Sequence, residues 1–206
     1  MGRSGVLVVT AMLAITVARC ASTLERPRGL TPSLDEEMAA VAAPSGAVPW
    51  SASRRLAWTD FRADAPAADG PESALTAYSL LYGLRCERGK LDIRVVAAFL
   101  PEKSWVKQDM LLRADDSRQA LQHEQTHFDL SEVHARRMRK YFPGLYDPCG
   151  RRDSSLTSLA EGFVEQESAA QALYDQETDH GRKPAAQRRW DASVAGLLSE
   201  LGAFAP

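Results

Sequence analysis

Cysteine and histidine are both scarce in this 206-residue sequence, with three of the former and four of the latter. None of the cysteines has the close paired spacing of a sulfur-ligated metal module, which excludes thiolate ligation of zinc. An excess of one charge sign is missing too. The 25 Lys and Arg face 27 Asp and Glu, a net charge of -2, and no basic face of the kind nucleic-acid binding requires is evident. Nucleic acid is therefore not an expected partner. Beyond the first twenty residues no run reaches the roughly 20 apolar residues a helix needs to cross a bilayer. Internal repeats and low-complexity tracts are absent as well, which excludes a repeat architecture. What remains is 45 % hydrophobic and 25 % charged, the balance of an ordinary globular domain, at a length that suits one domain better than two.

The two ends of the chain differ in texture. Arg3 is the sole charge before an apolar run from Gly5 to Val17, followed by small residues, so residues 1–20 read as a secretory signal peptide. Val17-Ala18-Arg19-Cys20 resembles a lipoprotein signal, with Arg19 where that pattern takes a small residue. Contact with a membrane is expected only through this signal or through a lipid on Cys20. Export makes Cys20 either lipidated or removed and leaves Cys86 and Cys149 as a disulfide pair in an oxidising compartment. Residues 21–49 mix Pro, Gly, Ala and Ser without a sustained period and read as a flexible linker. Residues 50–206 then form the folded domain.

Within that domain the pattern is sheet first and helices after, an α+β fold. Leu56 to Phe61 alternates aromatic and polar residues, and Ala74 to Leu84 is strand-like through Tyr78, Leu80 and Tyr82. Glu87-Arg88-Gly89-Lys90 is a turn signal, after which Leu91, Ile93 and Val95 alternate with Asp92 and Arg94, so a hairpin is expected here. A long helix should run from Asp115 to Tyr141, where Pro143-Gly144 forbids continuation. Two further helices are expected from Ser155 to Tyr174 and from Ala185 to Leu201.

The long helix carries His123-Glu124-Gln125-Thr126-His127. Residues four apart share a helix face, so both imidazoles can reach one ion, as zinc ligands spaced this way do. The stripe they occupy continues through Leu130, His134, Met138 and Tyr141, which is the face meant for the core. Buried imidazoles there need partners, and a metal would satisfy both. Glu124 is rotated by about 100 degrees from His123. From there it can act as general base toward a zinc-bound water whose pKa the metal lowers to about 7. His134 lies seven residues past His127, roughly 10 Å along the axis, and reads as a packing or supporting residue. Leu130 and Val133 stand where a metzincin would place Gly and His, which rejects that subclass.

Several segments together resemble a known family: Trp58-Thr59-Asp60-Phe61, Thr76, Ser104-Trp105, His123 through Leu130, Ala135-Arg136-Arg137, Tyr174-Asp175, Thr178-Asp179-His180-Gly181 and Trp190. They are similar to a bacterial domain-of-unknown-function family described as secreted zinc-dependent proteases, over about residues 50 to 201. The resemblance implies zinc and export more directly than any substrate.

The third ligand has two candidates. His180 lies in a turn-forming segment where the resemblance is densest, and it is the favoured one. Glu167 sits on an apolar stripe with Leu156, Ala160, Phe163, Ala170 and Tyr174 and fits the downstream pattern of a gluzincin. It is read as supporting a ligand histidine rather than binding metal. The expectation is thus an envelope zinc metallopeptidase, periplasmic or secreted. Glu124 is its catalytic base, zinc is its cofactor on His123, His127 and His180, and a peptide or protein is its substrate. The alternatives are an envelope binding or assembly protein with a structural zinc site, and a zinc amidase acting on cell-wall peptides.

Overall fold

The computed structural model describes residues 33–67, 72–151 and 153–206. The signal reading of residues 1–20, the fate of Cys20 and the start of the linker lie outside the described residues. From Ser33 the stretch read as linker is ordered instead. Helix α1 (Leu34–Ala42) opens on a capping box in which Ser33 and Glu36 satisfy each other's backbone N–H groups. It is followed by a two-residue strand β1 (Val48–Pro49). Among the described side chains Leu34 and Met38 are the buried anchors of α1, a narrow apolar stripe in an Ala-rich sequence.

After β1 come the short strand β2 (Ala74–Leu75) and the hairpin β3 (Tyr78–Glu87) and β4 (Lys90–Phe99). A second short strand β5 (Trp105–Val106) and a single helical turn α2 (Gln108–Leu111) follow. Three long helices complete the chain: α3 (Ala114–Tyr141), α4 (Asp153–Thr178) and α5 (Pro184–Glu200). The fold is α+β as expected, an antiparallel sheet ordered β1-β4-β3 with helices after it, and β2 pairing with β5 beside it. The hairpin register runs from Tyr78 opposite Phe99 to Glu87 opposite Lys90. Its two-residue turn, Arg88-Gly89, has φ of 51° and 77°, the left-handed pair that matches strand twist. No described helix is long and apolar enough to cross a membrane.

Strand alternation sorts the sheet into two faces. Leu80, Val95, Ala97 and Phe99 pack with Phe128, Ala135 and Met138 of α3. Leu81 and Ala98 point the other way and pack with Met38 of α1. The contact is close at Gly83, where an added Cβ would stand 2.7 Å from Leu34 Cδ1. Ion pairs Arg85–Glu37 and Arg94–Asp35, both 2.6 Å, rim it.

The segment 56–61, expected as strand, is a 3-10 turn over Trp58–Asp60 whose Asp60 carboxylate caps Ala57 N–H at 2.9 Å. Trp58 and Phe61 then begin an aromatic ladder through Phe99 to Phe128, with centroids 4.9, 5.2 and 5.9 Å apart. Burial of rings in this way stabilises by about 1.5–3 kcal/mol per side chain. The same loop is laced to α3 by Trp50 Nε1–H donating to Asp129 and Leu56 N–H donating to Gln125.

Helix α3 is about 42 Å long and is covered by the sheet on one flank and by α4 and α5 on the other, where Leu130 and Val133 meet Tyr174 and Val194. Its buried Glu132, 1 % exposed, is paired, binding Arg136 and Arg139 at 2.8 and 2.9 Å. Cys86 at the end of β3 is bonded to Cys149 in the Pro148–Gly150 turn, with Cα atoms 5.6 Å apart.

Candidate metal centre

The expected pair is assembled by adjacent turns of α3. His123 and His127 are buried, their ring centroids 4.7 Å apart and nearly perpendicular. The Tyr174 ring from α4 holds the pair from the side, stacked on His123 at 4.7 Å and edge-on to His127 at 4.8 Å. The last turn of α4 delivers Asp175. His123 Nε2 and His127 Nε2 are 3.1 Å apart, and Asp175 Oδ1 lies 3.1 Å from the first and 3.0 Å from the second. Among the described residues this is the one cluster of three His, Cys, Asp or Glu whose donor atoms converge as for an ion.

The hydrogen bonds behind these rings fix which nitrogen carries the proton. Gln187 Nε2 donates to Tyr174 Oη at 2.6 Å and to Asp191 Oδ1 at 2.8 Å. Its amide nitrogen is thereby held by an acceptor-only carboxylate, and its oxygen faces His123 Nδ1 at 3.1 Å. Gln171 Nε2 donates to the His127 carbonyl at 2.9 Å, which turns its oxygen to His127 Nδ1 at 2.7 Å. Both Nδ1 atoms must therefore be N–H donors, and both Nε2 atoms present lone pairs.

Three acceptors thus face one another across 3.0–3.1 Å, an arrangement that only a cation between them can satisfy. Without a metal the cation is a proton. Burial pulls the His127 imidazole down, but hydrogen bonding and charge from Asp175, with Glu124 and Gln171 adding, outweigh it and push it up to about 9. Burial would raise the Asp175 carboxyl, yet the two histidines hold it well below the usual carboxylate range. A zinc ion fits the same space. Bonds of about 2.0–2.1 Å in tetrahedral geometry separate ligand atoms by roughly 3.3 Å, within a few tenths of an ångström of the observed triangle. Two imidazoles and one carboxylate are also a zinc donor set that leaves a fourth position open.

Glu124 is 5 % exposed, and its Oε2 has no hydrogen-bond partner among the described residues. Thr76 Oγ1–H donates to its backbone carbonyl at 3.3 Å.

His180, the residue the sequence favours as third ligand, does not join the triad. Its Nδ1 is 3.6 Å from Asp175 Oδ1, and its side chain is 30 % exposed. Asp175 takes that place because α4 continues to Thr178, four residues past its expected end. Asp175 therefore stays on the helix while His180 falls in the turn beyond. Asp179, His180 and Gly181 have φ of 54°, 53° and 79°, an αL turn that ends the helix through His180 N–H donating to Asp175 O at 3.0 Å.

Glycine is required at 181 on two counts, its φ and its contact, since a Cβ there would stand 3.0 Å from His123 Cγ. Gln119 Nε2 donates to the Gly181 carbonyl at 2.5 Å and ties this turn across α3.

Glu167 is 2 % exposed and bonded to Ser131 and Gln171, with burial pushing its carboxyl up to about 7. It supports His127 through Gln171 and is not a member of the triad. Burial, then Arg137, pulls His134 down to about 4, and it packs two turns from the centre as its spacing implies.

A cavity of about 410 Å³ lined by Met110, Arg113, Gln119, His180 and Arg182 lies beside the Asp179–Gly181 turn, with no triad residue in its lining. A larger one, about 550 Å³ beside Trp50, Asp129 and Asp191, lies on the opposite flank of α3 and touches none of the triad.

Asp175, Gln171, Gln187 and Tyr174 are the site residues that spacing alone did not assign. Only Tyr174-Asp175 carried a signal, as one of the segments that resemble the family, with Tyr174 also on the α4 stripe.

A family model described as a bacterial protein of unknown function (DUF922) matches residues 54–181, a span that includes the triad and Glu124. No curated protein and no solved structure matches the chain.

Proposed function

The chain belongs to that bacterial family of unknown function, and from the geometry of its site we propose that it is a zinc-dependent peptidase of the cell envelope. The observation that carries the reading is the triangle of three acceptor atoms 3.0–3.1 Å apart, with both histidine tautomers fixed by glutamine amides. In this reading His123, His127 and Asp175 hold zinc. When bound, the ion supplies Lewis acidity, lowering the pKa of water and polarising a carbonyl oxygen. Gln187 and Gln171 keep the two Nε2 lone pairs aimed inward, and Tyr174 stops the rings from rotating. Glu124 brings a carboxylate oxygen free of other partners, suited to take the proton of an attacking water and return it to the leaving amine. The Cys86–Cys149 bond suits an oxidising compartment, as does the amino-terminal segment read as a signal.

A second reading has its own support. His123, Glu124 and His127 are at most 8 % exposed, as in a structural site. Glu124 separates the two, since a structural zinc needs no unpartnered carboxylate beside it. Purified full-length protein should take up about one zinc per chain. Against denatured proteins and cell-wall fragments it should show hydrolysis that Glu124→Gln abolishes while zinc content and melting persist. Zinc uptake without hydrolysis of either substrate class would leave the structural reading, and cleavage of cell-wall fragments alone would redirect the proposal to an amidase.

A further inference from the structure

Among the described residues, three buried side-chain polar atoms lack a hydrogen-bond partner: Glu124 Oε2, Tyr78 Oη and His134 Nδ1. The last lies two helical turns away from the triad. The first two belong together. Tyr78 opens β3 opposite Phe99, and by strand alternation its ring falls on the same face as Leu80, the face that packs on α3. Two residues earlier, Thr76 touches the Glu124 backbone. Between them Ala77 is pinned by Ser104 Oγ at 2.9 Å and by Leu100 N–H at 2.9 Å, so the Tyr78 backbone is fixed in place. Tyr78 is 9 % exposed. Burial, then the charges of Glu167 and Asp175, raise its phenol well above the ordinary value, which keeps it a protonated donor and places two carboxylates of the site within electrostatic range. An orphaned acceptor and an orphaned donor beside one centre are complementary to a ligand that brings both a proton and a carbonyl oxygen.

We propose that Tyr78 is a catalytic residue whose Oη–H donates a hydrogen bond to the carbonyl oxygen of the bound amide. The assignment rests on the hydrolytic reading above. As Glu124 removes a proton from water, the water oxygen bonds to the carbonyl carbon and the C=O π pair moves onto oxygen, where the Tyr78 hydrogen bond strengthens. Glu124 then passes its proton to the amide nitrogen as the C–N bond breaks, giving a carboxylic acid and an amine.

Tyr78→Phe removes the hydroxyl and leaves the ring. Metal-free Tyr78→Phe should melt at or above the temperature of the parent, because the hydroxyl has no partner to lose, and zinc affinity should be unchanged. In the zinc-loaded protein kcat should fall on the order of 100-fold with KM within twofold, as when a donor to a developing oxyanion is deleted. Acetohydroxamate, which presents a carbonyl oxygen, should bind about tenfold more weakly. A melting temperature several degrees lower would show a partner in the resting protein and overturn the proposal. So would unchanged kcat together with unchanged acetohydroxamate affinity. If the parent binds zinc and hydrolyses nothing, the peptidase reading fails and the acetohydroxamate comparison alone decides whether Tyr78 is a donor to ligands. Failure to bind zinc at all overturns both.

Discussion

Replacing Asp175 by Ala tests the proposed zinc site, separating the His123, His127 and Asp175 triad from the ligand set expected from the motif. Asp175 supplies one of three converging atoms and the only formal negative charge among them. Structural zinc sites with four ligands bind with about 10–16 kcal/mol, so one ligand accounts for roughly 2.5–4 kcal/mol. At 1.4 kcal/mol per decade, Asp175→Ala should weaken zinc by about 10²- to 10³-fold. His180→Ala should change it by less than about threefold, because His180 Nδ1 is 3.6 Å from the Asp175 oxygen and outside the triangle. The assay is chelator competition on purified protein at neutral pH, with melting of each metal-free variant as a control for folding. Loss of affinity in His180→Ala with retention in Asp175→Ala would refute the triad and return the third position to His180.

Three further outcomes follow from other parts of the molecule. Gln187→Leu leaves the His123 Nδ1–H without an acceptor and should cost 10- to 100-fold in zinc affinity, and an unchanged titration would refute the tautomer argument. His134 has its pKa lowered from 6.5 to about 4, so the folded state binds its proton more weakly than the unfolded state. The associated stability is present above pH 6.5 and is lost as pH falls toward 4, on the order of 2–3 kcal/mol in all. His134→Leu should flatten that acid limb in urea titrations at pH 7 and pH 5, and equal slopes for variant and parent would contradict the assignment. The Cys86–Cys149 bond spans a sequence separation of 63, worth about 4 kcal/mol by loop-closure entropy. The double serine variant should melt roughly 10 °C lower, and a change under 3 °C would count against a stabilising bond.

The elements legible in the sequence were those with strong periodicity or punctuation. The hairpin turn Arg88-Gly89 and the ends of α3 and α5 fall within a residue or two of where pattern and turn chemistry put them. The histidine pair was legible because i,i+4 spacing on a helix is itself geometry. Asp175 was not, since nothing local distinguishes a carboxylate that meets two histidines from one that meets water. That distinction depends on how α4 crosses α3 and on where α4 ends. Gln171 and Gln187 were invisible for the same reason. Helix α1 was not legible because its described anchors, Leu34 and Met38, make too narrow a stripe among alanines for periodicity to resolve, although the Ser33–Glu36 capping box was there to be read. Residues 56–61 misled because a 3-10 turn and a strand both place alternate aromatics on one side over so short a stretch.

The turn at Asp179–Gly181 is coupled to the candidate metal centre. Two of its left-handed residues are not glycine, a conformation that costs roughly 1–2 kcal/mol each, and Gly181 sits so close to His123 that an added Cβ would stand 3.0 Å from its Cγ. Its hold on that shape comes from Thr178, Gln119 and the Asp175 carbonyl, two of which belong to residues within one turn of a triad member or are part of one. Under the zinc proposal, any shift of His123 or Asp175 on metal uptake would therefore be transmitted to the backbone of this turn. On the zinc reading, the amides of His180 and Gly181 become a gauge of occupancy, readable by hydrogen exchange without any substrate.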